Sequence, residues 1–159
     1  MTFDAVFAEL RGPVFKLCFR MLGDRHQAED ASQETFLSVY RGLGGFRGDA
    51  SLKTWVYRIA VRAALKVRAQ RDTAAGPLDE SHEEPVRPEP ALEARDEARR
   101  LRVALASLPA EHRTVLSLSA LDGVSHQEIA DVLGIPSGTV GSRLHFARKK
   151  LMAELHRVR

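Results

Sequence analysis

Apolar residues recur along this chain every three or four positions and rarely alternate, so it reads as a series of amphipathic helices. Phe3, Val6, Phe7 and Leu10 make a first short turn. Gly12-Pro13 is expected to interrupt it, with Pro13 opening a new helix at its first position. Val14, Leu17, Cys18, Met21 and Leu22 face inward on that helix, and Gly23 stops it. Asp24 then caps a helix expected to reach about Leu43. This helix carries two stripes. Ala28, Ala31, Thr35, Phe36, Val39 and Tyr40 form a core stripe. Asp30, Gln33, Glu34, Leu37 and Arg41 form a polar one with a leucine at its centre, about 100 degrees or more away. A solvated face explains its charges; a docking surface also explains Leu37.

Gly42, Gly44, Gly45 and Gly48 predict an irregular loop presenting Phe46, Arg47 and Asp49. Asp49 or Ser51 caps the next helix, from Leu52 to about Arg71, with Leu52, Val56, Ile59, Ala60 and Ala63 as its core face. Its other face holds Trp55, Arg58, Arg62 and Lys66, with Arg68 and Arg71 beyond. Interleaved aromatic and basic residues suit single-stranded nucleic acid, where bases stack on rings for roughly 1–3 kcal/mol each and cations hold phosphates. A core role for Trp55 and Tyr57 explains the same pattern, because a small helical domain needs large side chains.

Leu92 to Ala106 and Ala110 to Leu121 continue the helical pattern, separated by Leu108-Pro109, with Leu101, Val103, Leu105, Val115, Leu116 and Leu118 apolar. Gly123 ends this run. Ser125, with Glu128 three residues later, opens a capping box for a helix whose apolar face is Ile129, Ala130 and Leu133. Gly134 ends it, Ile135-Pro136 makes the corner, and Ser137 caps a helix through Val140, Leu144 and Ala147. Arg143, Arg148, Lys149 and Lys150 make that last helix basic. A small residue in the first helix, a glycine in the turn and a basic second helix form the pattern of a DNA-binding helix-turn-helix. A solvated helical hairpin is the plain alternative.

Composition narrows the picture. The chain has 159 residues, 44% hydrophobic, 28% charged and 6% aromatic, enough for a core and better suited to helices than to sheet. Its formal charge is +3, but the distribution of charge matters more. Between Asp72 and Pro90 stand four prolines and six acidic residues with few apolar ones, which predicts a flexible acidic linker. About 20 such residues reach roughly 65 Å extended, or about 25 Å as a coil. The expected class is therefore all-α: two small helical domains, residues 1–71 and 91–159, joined by a linker over 72–90, the second a four-helix unit with the helix-turn-helix. The single cysteine, Cys18, reads as a core residue. No Cys/His cluster suggests a metal, and no residues suggest a cofactor. Asp4, Glu9, Arg11 and Lys16 exclude a signal peptide or a spanning helix at the start, so no membrane insertion and a cytoplasmic location are expected.

Three stretches, AEDASQETFLSVY (28–40), FRGDASLKTWVYRIA (46–60) and SLPAEHRTVLSLSALDGVSHQEIADVLGIPSGTVGSRL (107–144), resemble bacterial RNA polymerase sigma factors of the extracytoplasmic function group. The resemblance implies a dissociable specificity subunit without chemistry of its own. Asp30, Gln33, Glu34 and Leu37 would dock on the β′ clamp helices of core RNA polymerase, with the β flap as a further contact. Phe46, Arg47, Ser51, Trp55, Arg58 and Arg62 would bind and help melt the −10 element. Ser137, Thr139, Ser142, Arg143, His145, Phe146 and Lys149 would contact the −35 element, the amino terminus of the helix holding phosphate. An anti-sigma factor is implied as a partner, and no regulatory domain is expected after Arg159. Arg62 stands where many relatives carry Asn, and Gly141 and Phe146 where a basic residue is frequent. A free-standing helix-turn-helix regulator would leave the Leu37 stripe and the glycine loop unexplained. An enzyme would need more than the Asp30 and Glu34 carboxylates.

Overall fold

The computed structural model describes residues 2–73, 92–121 and 123–157; the expected linker lies outside them but for its first two residues, which end a helix. Among the described residues the structure is all helical: α1 (Phe3–Leu22), α2 (Arg25–Gly42), α3 (Leu52–Thr73), α4 (Leu92–Ser107), α5 (Ala110–Ser119), α6 (His126–Leu133) and α7 (Ser137–Arg157), with a short 3-10 turn at Leu43–Gly45. In the first half α1, α2 and α3 pack against one another; in the second, α4, α5 and α6 all pack on α7.

The expected break at Gly12-Pro13 does not occur. One helix runs from Phe3 to Leu22 with Pro13 inside it. An interior proline costs about 3 kcal/mol, because it has no N–H and its ring crowds the preceding turn. Val6, Leu10, Val14, Leu17, Cys18 and Met21 lie buried in one stripe across the proline. Each large apolar side chain in that stripe contributes roughly 1.5–3 kcal/mol, so packing outweighs the local penalty. Gly23, at φ 70°, ends the helix, its N–H donated to the Phe19 carbonyl.

Asp24 caps α2 as expected, accepting from the Gln27 N–H at 2.9 Å. Ala28, Ala31, Thr35, Phe36 and Val39 are buried, but Tyr40 is 69% exposed. At the end of α2 it lies beyond the core and meets Phe3 edge-on at 5.3 Å. The glycine loop is more regular than its composition suggested, since Leu43–Gly45 winds into the 3-10 turn. Ser51, rather than Asp49, starts α3: its hydroxyl accepts the Thr54 N–H at 3.0 Å. Val56, Ala60 and Ala63 are buried as predicted, together with Tyr57, Val61 and Ala64, while Leu52 and Ile59 are only half-buried.

In the second half, Leu101 and Val103 are exposed, and α4 is held by Ala104 and Leu105 near its end. Arg113 is a charge that the apolar pattern hides. It is 3% exposed, and its guanidinium donates to the carbonyls of Leu105 (2.8 Å), Ala106 (3.2 Å) and Leu108, closing the end of α4. Ser125 caps α6 through the Glu128 N–H at 3.1 Å. Gly134, at φ 67°, ends that helix, and the Ile135 N–H reaches back to the Ala130 carbonyl at 3.1 Å. Ile129, Ala130 and Val132 are the buried residues of α6, with Leu133 half-buried. Ser137 is the first residue of α7 rather than its cap; the Pro136 carbonyl accepts from Thr139 and Val140.

The halves touch. The end-to-end core is continuous, with α1 against α4 and α5 and α3 against α6. No helix among the described residues is long and apolar enough to cross a membrane.

Candidate nucleic-acid interface

Three outward surfaces carry the residues singled out in the sequence. On α2, Asp30, Gln33 and Glu34 are exposed, and Leu37 is 50% exposed between them, one continuous acidic and apolar strip. Burying Ala31, Thr35 and Val39 on the opposite side turns this strip to solvent. Beside it runs a groove between α1 and α2, lined by Phe3, Phe7, Phe15, Phe36, Leu37 and Tyr40, which pattern reasoning missed. Phe7 and Phe36 meet edge-on at 4.9 Å in it. The signal lies in the spacing of Phe3 and Phe7 in the first amphipathic turn and in Tyr40, which helical periodicity assigns to the core stripe of α2.

The second surface joins the glycine loop to α3. Phe46 and Trp55 are half-buried with ring centroids 5.1 Å apart, so the one tryptophan of the chain packs on the loop. A side chain at Gly42 would sit 3.0 Å from the Trp55 ring, which explains a glycine at the end of α2. Arg47 and Arg62 are exposed. Ser51 spends its oxygen on the α3 cap. Arg58 is half-buried, and its Nε and Nη2 both donate to the Asp131 carbonyl of α6, at 2.8 and 2.6 Å. Lys53, one residue into the helix, lies 3.2 Å from the Gly123 carbonyl and 3.4 Å from Glu128 Oε2. Neither contact could be read from sequence, because each spans about 70 residues. Arg68 and Arg71 do not extend the basic face of α3. They donate to the Met21 and Leu22 carbonyls at 3.3 and 3.1 Å and close the end of α1. Burial lowers the pKa of the Arg68 guanidinium from its ordinary value. Tyr57 is core, and burial raises its phenol, with Glu128 and Glu9 adding to the rise.

The third surface is the start of α7. Val140, Leu144 and Ala147 anchor it inward, which leaves Ser137, Ser142, His145, Phe146 and Lys149 exposed and Thr139 and Arg143 half-buried. Ser142 donates to the Thr139 carbonyl at 3.1 Å. Phe146, 55% exposed, meets His145 edge-on at 5.5 Å instead of packing inward. Among the described residues no group of His, Cys, Asp and Glu could hold a metal. Cys18 is buried, and desolvation pushes its thiol up to about 12.

Comparison with known proteins accounts for both halves. Residues 6–73 match the family model for Sigma-70 region 2, and residues 98–151 that for Sigma-70, region 4. The RNA polymerase sigma-H factor of Pseudomonas aeruginosa is 35% identical, over 94% of this chain and 83% of that protein. SigW of Bacillus subtilis, an ECF RNA polymerase sigma factor, is 32% identical over 89% of this chain and 82% of its own length. The chain belongs to the ECF group of RNA polymerase sigma factors. Of solved structures, CnrH in complex with the cytosolic domain of CnrY matches over 98% of this chain and 88% of CnrH, at a TM-score of 0.75 and 25% identity. The sigma factor RpoE of Bartonella quintana, solved with the anti-sigma factor NepR, shares the fold at a TM-score of 0.77 and 23% identity, over 97% and 96%. In these terms most of α1 and all of α2 and α3 fall within the region 2 match, and α5, α6 and most of α7 within the region 4 match.

Proposed function

We propose that this sigma factor binds core RNA polymerase, directs it to promoters and assists melting of the −10 element, with two modules of separate duty, residues 1–71 and 91–159. The observation that carries this reading is the outward α2 strip, where Leu37 is half exposed among Asp30, Gln33 and Glu34. The strip docks on the β′ clamp helices. Phe46, Arg47, Ser51, Trp55, Arg58 and Arg62 receive the −10 strand, cations on phosphates and rings on unstacked bases. Ser137, Thr139, Ser142, Arg143, His145, Phe146 and Lys149 meet the −35 duplex in the major groove, backbone contacts setting position and base edges setting sequence. The β flap holds the second module. The polymerase forms the bonds, and the chain contributes binding free energy only. An anti-sigma factor controls it, by analogy with the complexes of CnrH and RpoE, and it works in the cytoplasm, where polymerase and promoter are.

Run-off transcription with core polymerase and a genomic promoter library tests this. The expected outcome is discrete RNA starts that need the chain and share two upstream elements. Starts identical with and without the chain would overturn it.

A further inference from the structure

We infer that Phe146 selects a thymine in the −35 element, by seating its ring on the C5-methyl group in the major groove. This rests on the reading of α7 as the −35 reader and adds to it the chemistry of one base. Val140, Leu144 and Ala147 fix how α7 lies, all three at 1% exposure or less. Phe146 is about 100° or more around the helix from each of them. It therefore stands in the outward row with Thr139, Ser142 and Lys149, and is 55% exposed. The residues before it on the outward side are short. Gly138 and Gly141 have no side chain, and a Cβ at either position would meet nothing within 4 Å, so packing within the chain does not require a glycine there. The short residues make a low surface: the backbone can come close to a groove floor, and the Phe146 ring is the first large group to reach it.

The ring brings no hydrogen-bond donor or acceptor. In the major groove guanine shows two acceptors, adenine an acceptor and an amino group, and cytosine an amino group; thymine alone adds a methyl to its acceptor. A purine edge or an amino group pressed against the ring loses water and gains no partner, which costs free energy. A methyl in the same place leaves water at a gain. Neighbouring groups do not supply the missing partners. Between Ser137 and Ala147 the single lysine or arginine is Arg143, and it is half-buried. The Ser142 hydroxyl, one turn before Phe146, donates to the Thr139 carbonyl at 3.1 Å. The His145 ring meets Phe146 edge-on at 5.5 Å, with 73° between the planes. That contact restrains the Phe146 ring and lowers the entropy cost of fixing it on DNA.

Holoenzyme reconstituted from core polymerase and the full chain tests this. Selection from a promoter library randomised across the −35 region gives the preferred element. Each thymine in it, on either strand, is then replaced one at a time by deoxyuridine, which lacks only the methyl. At one position the affinity should fall about fourfold at constant salt, the effect of burying one methyl group. Holoenzyme carrying Phe146→Ala should bind the thymine and deoxyuridine promoters equally. With the wild-type chain, 5-methylcytosine at the same position should bind better than cytosine, a readout that needs no variant. A selected −35 element without thymine, deoxyuridine as good as thymine at every position, a deoxyuridine loss that persists in Phe146→Ala, or 5-methylcytosine no better than cytosine would each overturn the inference and leave α7 as the −35 reader. Selection of no −35 element at all would sink the reading of α7, and the role of Phe146 with it.

Discussion

Arg113 shows how much one side chain can carry. Its three carbonyl partners belong to the end of α4 and the turn after it, and no water can replace the bonds at 3% exposure. Arg113→Ala should cost about 2–4 kcal/mol, because it leaves buried acceptors unpaired, and urea unfolding measures it. Cys18 makes a pH prediction. Its thiol sits near 9.0 when unfolded and about 12 in the fold, where desolvation disfavours the thiolate. A raised folded pKa stabilises fully below pH 9, and that contribution disappears as pH rises from 9 toward 12, by at most about 1.4 kcal/mol per unit. Cys18→Ala should lack that part of the alkaline loss, seen as a shallower fall of the urea midpoint above pH 9. The burial of Cys18 was legible from its spacing with Val14, Leu17 and Met21. That of Arg113 was not, since an arginine among apolar residues carries no mark of whether a helix end lies within its reach.

At the scale of elements, α1 is where local and global preferences disagree. Gly12-Pro13 reads as a stop, and the helix continues because the buried stripe on both sides of it is one surface. Pro13→Ala should therefore stabilise the chain, by about 1–3 kcal/mol, raising the melting temperature; a fall would show that the proline shapes the packing of α1 on its neighbours. The α6–α7 pair was readable almost residue by residue, because Ser125, Gly134 and Pro136 act through their own backbones. Only the start of α7 moved, from Ser137 to the preceding carbonyl. On α7, Arg143→Ala should weaken promoter binding by roughly 1–3 kcal/mol if the residue reads a base. An equal loss on random DNA in the same titration would assign it to phosphate.

For the whole molecule, the surfaces differ in what covers them. Among the described residues the α2 strip is exposed, so Asp30→Ala with Leu37→Ala should lower affinity for core polymerase about tenfold or more while moving folding stability by less than about 0.5 kcal/mol. Pull-down with core polymerase and a thermal melt check both halves of this expectation; retained affinity would move the docking surface elsewhere. The α3 face is engaged by α6 and the turn before it, Arg58 on the Asp131 carbonyl and Lys53 on that of Gly123.

Helix spacing, caps and glycine stops act over a few residues, and they sufficed to determine an all-helical chain, its order of helices, the helix-turn-helix and the outward Leu37 strip. The tertiary structure alone decided that α1 is unbroken, that Arg68, Arg71 and Arg113 close helix ends, that Tyr40 lines a groove and that Arg58 meets Asp131. The physical reason is one of range. Whether Arg58, Arg68 or Arg71 faces solvent or a carbonyl depends on what packing brings up from 47 or more residues away, and although the carbonyls of Arg113 lie only 5 to 8 residues back, the turn that aims it at them is set by packing too; periodicity holds no record of either.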